Sequence, residues 1–398
     1  MGFYLYTGNK LEKLAELFRE QVYARQADET AWLTPETVVI QTQGMGAWLK
    51  LELAKSAPLA ANLNFPFLNK FIESVLEKAF PDFHESLRYL SKEVMAWRIF
   101  HIFSDHPETF PELNGYFSRD TGEQDLKKYQ LAVKVAGLFD QYQIYHGDML
   151  GNWRRNGGNG WQERLYLELA ESRKSIDRYF NDFLSLTSIP EDAAPKRISV
   201  FGISTMAPVF LQFFVKLAEF RDVHFFYLNP CSGYWSEILS NRQAGSLSRK
   251  TGVERESLMD GNPLLASMGT QGRDFFRLMM ELPELNVTQE TACFEPFRED
   301  SYTMLTALQQ DILDNTVRGR GIKNDFAEPP LPVTPDDRSV TVHNCHSPLR
   351  EVEVLHDRLM ALLQDRSIQP HDIIVMAPDI SVYEPYVNAV FGTGALRN

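Results

Sequence analysis

The chain has 398 residues, 44% hydrophobic and 23% charged, which places it with ordinary soluble globular proteins and predicts two or three packed units. Its formal net charge of −13 excludes a protein that wraps nucleic acid by bulk electrostatics, because phosphate binding needs clustered Lys and Arg. Three scattered cysteines, Cys231, Cys293 and Cys345, exclude a disulfide framework and a four-thiolate metal site, and they fit a reducing compartment. Neither a leader peptide nor an apolar run long enough for a bilayer is found, so the expectation is a cytoplasmic protein away from membranes.

In chain order, Phe3 to Tyr6 reads as a strand, followed by a helix with Leu11, Leu14, Phe18 and Val22 at helical spacing. A second such unit has Thr37 to Ile40 as a buried strand, the loop Gln41-Thr42-Gln43-Gly44-Met45-Gly46, and a helix through Trp48, Leu49 and Leu51. Repeated βα units predict a parallel sheet. From about Phe71 to Leu186 the pattern is amphipathic helix, as in Val94, Trp97, Phe100, His101 and Ile102, and again in Leu131, Val135, Leu138 and Phe139. Strands return at Ile198 to Phe201 and at Val223 to Leu228, so the first sheet resumes after a helical insertion. Residues from about Ser232 to Gly261 have little periodicity and read as a surface excursion, and the Pro-rich run Glu328 to Pro335 reads as a linker. Beyond it, Ser339 to Val342 and Asp372 to Met376 read as strands flanking a helix capped by Ser347 and Pro348. Two strands cannot close a sheet, so this second α/β unit is expected to be cut short.

The chemistry-bearing motifs are mostly notable by what they lack. A phosphate-cradling G-x-x-x-x-G-K-[ST] loop does not occur; the first strand-to-helix turn offers only Gly8, Asn9 and Lys10, a degenerate version without the glycine loop or the hydroxyl that would hold magnesium. The strand ending at Phe201 runs into Gly202-Ile203-Ser204-Thr205, with no acid for metal and water. No H-E-x-x-H and no compact acid-acid-lysine cluster occurs, and His343, Cys345 and His346 alternate in direction along an extended segment. No catalytic or metal-ligating residue is therefore assigned. The amides and hydroxyl of Gln41, Thr42 and Gln43, at the carboxyl end of a strand, either bond base edges or satisfy their own loop. Tyr142 and Tyr145, beside Asp140 and Gln141, are either core or base-stacking groups. The densest basic stretch, Arg154, Arg155, Arg164, Arg173, Lys174 and Arg178, reads as a solvated helical face or a DNA contact.

Val39-Ile40-Gln41-Thr42-Gln43-Gly44-Met45 with Trp48-Leu49, then Ala60-Ala61-Asn62-Leu63-Asn64-Phe65-Pro66, resemble the opening motifs of the RecC family, the exodeoxyribonuclease V gamma subunits. Leu138 to Tyr142, Phe201 to Ser204, Leu228 to Cys231 with Tyr234-Trp235, Gly261 to Ser267 through Gly272-Arg273-Asp274, and Cys345 to Arg358 followed by Asp372 to Met376 resemble the same family in the same order. The resemblance implies a superfamily 1 helicase-like α/β fold. In it a parallel-sheet domain 1A comprises 1–70 and 191–327, an all-helical domain 1B is inserted at 71–190, a linker covers 328–338, and domain 2A begins at 339–398.

The resemblance further implies a subunit of a RecBCD-type exodeoxyribonuclease V helicase-nuclease for double-strand-break repair by homologous recombination. Such a subunit has no ATPase or nuclease activity of its own; ATP and magnesium are used by RecB-type and RecD-type partners, and this chain would need no cofactor. It would receive double-stranded DNA ends, channel the unwound single strand and read a hotspot of the Chi type. Carried over by position, the DNA-binding residues are Gln41, Thr42, Gln43, Phe67, Leu138, Asp140, Gln141 and His146. Gln43, Phe67 and His146 depart from the family pattern, as do Ala47, Glu73 and Gly137, which puts the hotspot sequence in doubt. Two rival readings are an active AddB-like helicase-nuclease subunit, which would need an intact phosphate loop and cluster cysteines, and a protein-interaction scaffold, which the acidic balance suits.

Overall fold

A computed structural model describes residues 1–23, 34–56, 61–117, 124–157, 160–171, 173–254, 261–297, 302–318 and 329–392. Ala60 of the second motif and Glu328, where the linker is expected to begin, lie outside them. The chain divides into two compact units, Met1–Phe297 with Gln309–Pro330, and Arg298–Leu308 with Leu331–Asn398.

The first unit is α/β. Six strands, β1 (Gly2–Gly8), β2 (Glu36–Val39), β3 (Leu63–Asn64), β4 (Arg197–Phe201), β5 (Asp222–Leu228) and β6 (Val287–Ala292), form one sheet in the order β3-β2-β4-β5-β1-β6. All pairings are parallel. The four inner strands, β1, β2, β4 and β5, are buried on both sides because both faces are covered, as a parallel sheet requires. Phe3, Leu5, Val39, Ile198, Val200, Val223, Phe225 and Tyr227 point to one face. The intervening Tyr6, Val38, Ile40, Phe201 and Phe226 point to the other.

The helices sort by face in a way that follows from strand order. Helices Leu11–Phe18 and Gln43–Ser56 follow β1 and β2 and bury Leu14, Phe18, Leu49 and Leu53 on the second face. Helices Leu68–Ala79, Ile176–Leu184, Pro208–Leu217 and Thr270–Glu281 cover the first face with Phe71, Val75, Phe180, Phe183, Phe213, Phe214 and Phe275. Parallel strands with right-handed crossovers demand this, since the chain moves one way along the sheet over one face and returns over the other. The neighbours β2 and β4 are thus followed by helices on opposite faces, which opens a crevice at their carboxyl ends.

Between β3 and β4 the chain builds a separate helical core from Met95, Ile99, Phe103, Ala132, Val135, Phe139, Leu150, Leu165 and Tyr166. Helix Gln124–Tyr145 runs through it beside helix Lys92–Asp105. An ion pair ties this core to the sheet-covering helices. Arg154, on helix Gly147–Asn156, donates to both carboxylate oxygens of Asp177 at the start of helix Ile176–Leu184, and to Ser175 Oγ at 3.0 Å.

Three differences from the sequence reading have physical causes. Strands β3 and β6 are not visible as apolar runs because both are edge strands, and Val287–Ala292 is largely polar and exposed. The stretch expected to be a surface excursion contains helix Asn241–Thr251, with Ser240 accepting from Gln243 N at one end and Gly252 left-handed at φ 72° at the other. Its cap signals were present, but its few apolar residues gave no period; nearby Trp235 is buried, with its indole N–H donated to Asn229 Oδ1 at 3.0 Å. In the second unit helix Pro348–Leu362 forms and is capped by Ser347, but neither 339–342 nor 372–376 pairs as a strand. A strand exists through its partner's hydrogen bonds. With none here, Val342 stands 90% exposed and Ile374 79%.

The Arg154–Asp177 pair makes a quantitative prediction. Asp177 is 2% exposed, so Arg154→Met strands a buried carboxylate and should lower unfolding free energy in urea by about 3–5 kcal/mol. A loss under ~1 kcal/mol would show that the two helical layers hold together without it.

Candidate functional site

At the crevice between β2 and β4, the register of β2 against β3 recurs three residues beyond the last pair, Thr37 and Asn64, as an isolated parallel bridge between Ile40 and Phe67. Ile40 N donates to Pro66 O at 3.1 Å, and Leu68 N donates to Ile40 O at 3.3 Å. These bonds bring Gln41 and Phe67 to the carboxyl edge of the sheet together. The loop after β4 completes the rim: Gly202 adopts φ +66°, and a Cβ there would lie 2.9 Å from Met45 Cε. Glycine takes the left-handed backbone without strain and leaves the Met45 side chain undisturbed. The chain then turns so that Thr205, Met206 and Ala207 face the crevice.

The opposite wall is the carboxyl-terminal part of helix Gln124–Tyr145. Asp140, Gln141, Ile144 and Tyr145 meet Gln41, Phe67 and Glu73 across an open cleft of about 610 Å³. Of the eight positions assigned from resemblance, Gln41, Phe67, Asp140 and Gln141 line this cleft, though they are far apart in sequence. Thr42, Gln43, Leu138 and His146 do not. Thr42 Oγ1 accepts from Met45 N at 3.3 Å, a helix-capping contact, and Gln43 begins that helix, exposed. Leu138 lies one turn before Gln141, exposed. His146 stands just ahead of helix Gly147–Asn156 with its ring edge-on to Tyr142. The two tyrosines divide: Tyr142 packs against Phe139 and Trp153, whereas Tyr145 faces the cleft.

Burial raises the Asp140 carboxyl above the ordinary aspartate value; Lys92 opposes the shift and Glu93 adds to it. Among the described residues no Lys or Arg lines the cleft, and Lys92 acts on Asp140 from beside it. The dense basic stretch does not supply one: Arg154 pairs with Asp177, Arg164 with Glu112, Arg173 with Glu85 and Lys174 with Asp182, and neither Arg155 nor Arg178 is among the lining residues. The cleft therefore offers amides, carboxylates and rings, groups that address base edges and faces rather than phosphates.

The degenerate turn at Gly8, Asn9 and Lys10 lies at the carboxyl end of β1. β1 ends at Gly8 and the helix starts at Leu11, so only Asn9 and Lys10 make the turn, too few to wrap a phosphate. The chain leaving β6 fills the place in front of it. Asn9 Nδ2 donates to Glu295 O at 2.8 Å, and Glu295 N donates to Asn9 Oδ1 at 2.9 Å. The Glu295 carboxylate pairs with Lys13 and Lys10, both at 3.1 Å, and these bonds, Lys13 first, hold its carboxyl below the usual glutamate value. Cys293 is so close that a Cβ on Gly8 would lie 2.5 Å from its sulfur. Glu295 was missed in the sequence because 285 positions separate it from Lys10. Among the described residues no three His, Cys, Asp or Glu side chains converge as metal ligands, and no helix is long and apolar enough to cross a membrane.

Residues 3–315 match the family model described as RecC, N-terminal domain. The chain is 32% identical to the RecBCD enzyme subunit RecC of Escherichia coli, in a match covering 98% of this chain and 38% of that protein. It is 29% identical to the subunit of the same name in Haemophilus influenzae, covering 98% and 39%, and 30% identical to that of Mycolicibacterium smegmatis, covering 90% and 32%. The chain thus spans between about a third and two-fifths of the length of these relatives. With the family model running from β1 past β6 through every element that builds the cleft, the chain belongs to the RecC family.

Proposed function

We propose that this chain is the strand-reading portion of a RecBCD-type exodeoxyribonuclease V complex, acting in DNA repair and recombination without ATPase or nuclease chemistry of its own. The parallel-sheet layers correspond to helicase domain 1A, the inserted helices to 1B and the second unit to the start of 2A. RecB-type and RecD-type subunits supply ATP- and magnesium-dependent unwinding, in the cytoplasm, and the unwound strand passes to the cleft, which inspects it for a Chi-like sequence. The observation that carries this reading is the convergence of Gln41, Phe67, Asp140 and Gln141 on one cleft at the carboxyl edge of the sheet. An amide and a carboxylate can each bond a base edge, and an exposed ring can stack on its face.

The inactive-helicase half rests on the turn after β1. A lysine that serves a nucleotide must reach its phosphates; Lys10 instead meets Glu295. The scaffold reading draws on one observation, a cleft with Glu73 and Asp140 but no cation. Salt dependence separates the two readings, since even a base-reading site places some phosphates against the protein.

Fluorescence anisotropy of labelled single strands tests the cleft. Asp140→Ala with Gln141→Ala should weaken the preferred sequence roughly tenfold or more while changing its rank among sequences, each base contact being worth about 1–3 kcal/mol. Equal ranking in variant and parent, or no binding at low salt, contradicts the reading. Because the Asp140 carboxyl is raised, it takes up its proton at a pH above that of an exposed aspartate. Acidification through that value removes a negative charge facing the strand, so affinity should rise as pH falls, and Asp140→Asn should flatten the profile. In equilibrium dialysis with Mg-ATP no saturable site is expected; a saturable one weakened by Lys10→Ala would overturn the inactive assignment.

A further inference from the structure

The cleft leaves the phosphates of a bound strand without cations, and the neighbouring helix surface offers both cations and rings. Helix Gln124–Tyr145 continues away from the cleft towards its amino end, and Tyr129 lies eleven residues before Asp140. Eleven residues are three turns, so the two side chains project from nearly the same face about 16 Å apart. On the antiparallel neighbour, Lys92–Asp105, Trp97 packs against Tyr129 with ring centroids 5.1 Å apart. Phe100 buttresses both rings edge-on, at 6.0 Å from Trp97 and 6.2 Å from Tyr129. Trp97 is nevertheless 55% exposed and Tyr129 37%. A tryptophan held in place from below and open above is a poor use of apolar area unless something flat lies on it.

Between the rings and the cleft the floor is low. Gly137 has no side chain, and Lys92 crosses beside it, its Cε 3.5 Å from where a Cβ would stand. Lys134 lies one turn before Leu138 on the same helix, exposed. Lys92 acts on the Asp140 carboxyl through space. In a chain of net charge −13, Lys92 between the aromatic pair and the cleft, with Lys134 on the flank of the same helix, offers ammonium groups to a phosphodiester backbone.

We propose that Trp97 and Tyr129 form a second, sequence-tolerant binding site for single-stranded DNA, a stacking platform that takes the strand as it leaves the cleft while Lys92 and Lys134 hold its phosphates. This rests on the cleft being a DNA site. The span of about 16 Å corresponds to roughly five bases at the 3.4 Å stacked rise. A protein partner docking on the same rings is the competing occupant; the lysines and the continuity with the cleft favour the strand.

The test measures affinity of the chain for labelled oligodeoxythymidylates of increasing length. Strands long enough only for the cleft should bind the parent and Trp97→Ala with Tyr129→Ala equally. About five further nucleotides should tighten parent binding roughly tenfold or more, and the double variant should lose that gain. Trp97→Phe with Tyr129→Phe should retain most of it, since a ring still stacks, and Lys92→Gln with Lys134→Gln should reduce the salt slope by about 1–2. Unchanged circular dichroism excludes misfolding as the cause. If the length gain persists in the double alanine variant, or the parent shows none, the platform is overturned and the cleft reading stands. If short strands bind neither protein while long ones bind the parent alone, the cleft reading fails and the proposal of a second site fed from it falls with it. Binding of no strand by the parent overturns both.

Discussion

Two backbone hydrogen bonds at Ile40 set the geometry on which the rest of the site depends. By accepting from Leu68 N and donating to Pro66 O, Ile40 locks β2 against the segment after β3. Gln41 is thereby placed at the mouth, Phe67 beside it, and helix Leu68–Ala79 begins immediately afterwards, so that Ile72, Glu73 and Leu76 form one wall. A slip of one residue would send Val39 to the wrong core and bring Val38 and Ile40 onto the face that Val39 now occupies. The buried faces thus enforce the register, and the register aims the polar side chains. Function at the rim is a by-product of packing below it.

The same constraint explains which parts could be read in the sequence. Strands buried on both faces, such as Val223 to Leu228, announce themselves as apolar runs, and the helical insertion announces itself by period. The cleft residues carry no such signal, because an exposed Gln or Asp at a strand or helix end is chemically ordinary. Their assignment came through resemblance, and only the fold shows that Gln41 and Asp140 meet. The closure of the turn after β1 by Glu295 was equally hidden, since edge strand β6 is polar and its pairing with β1 spans most of the chain. Strand signals at Ile374 and Val375 were real as propensity but found no partner among the described residues.

The charge distribution gives the account its physical character. Several cations of the helical region are spent in internal pairs, including one that binds the helical core to the sheet-covering helices through Arg154 and Asp177. What remains at the cleft is a surface suited to inspecting bases, with weak purchase on the backbone. On the proposed reading, other parts of the complex deliver the strand and the cleft contributes discrimination in place of grip.

Photo-crosslinking tests the central claim most directly. A short single strand carrying iodouracil at successive positions would be irradiated with the intact chain and the attachment points mapped by mass spectrometry. The account predicts attachment at Phe67 and Tyr145, the exposed rings among those lining the cleft. Attachment confined to residues outside the cleft, with the strand bound, would contradict it.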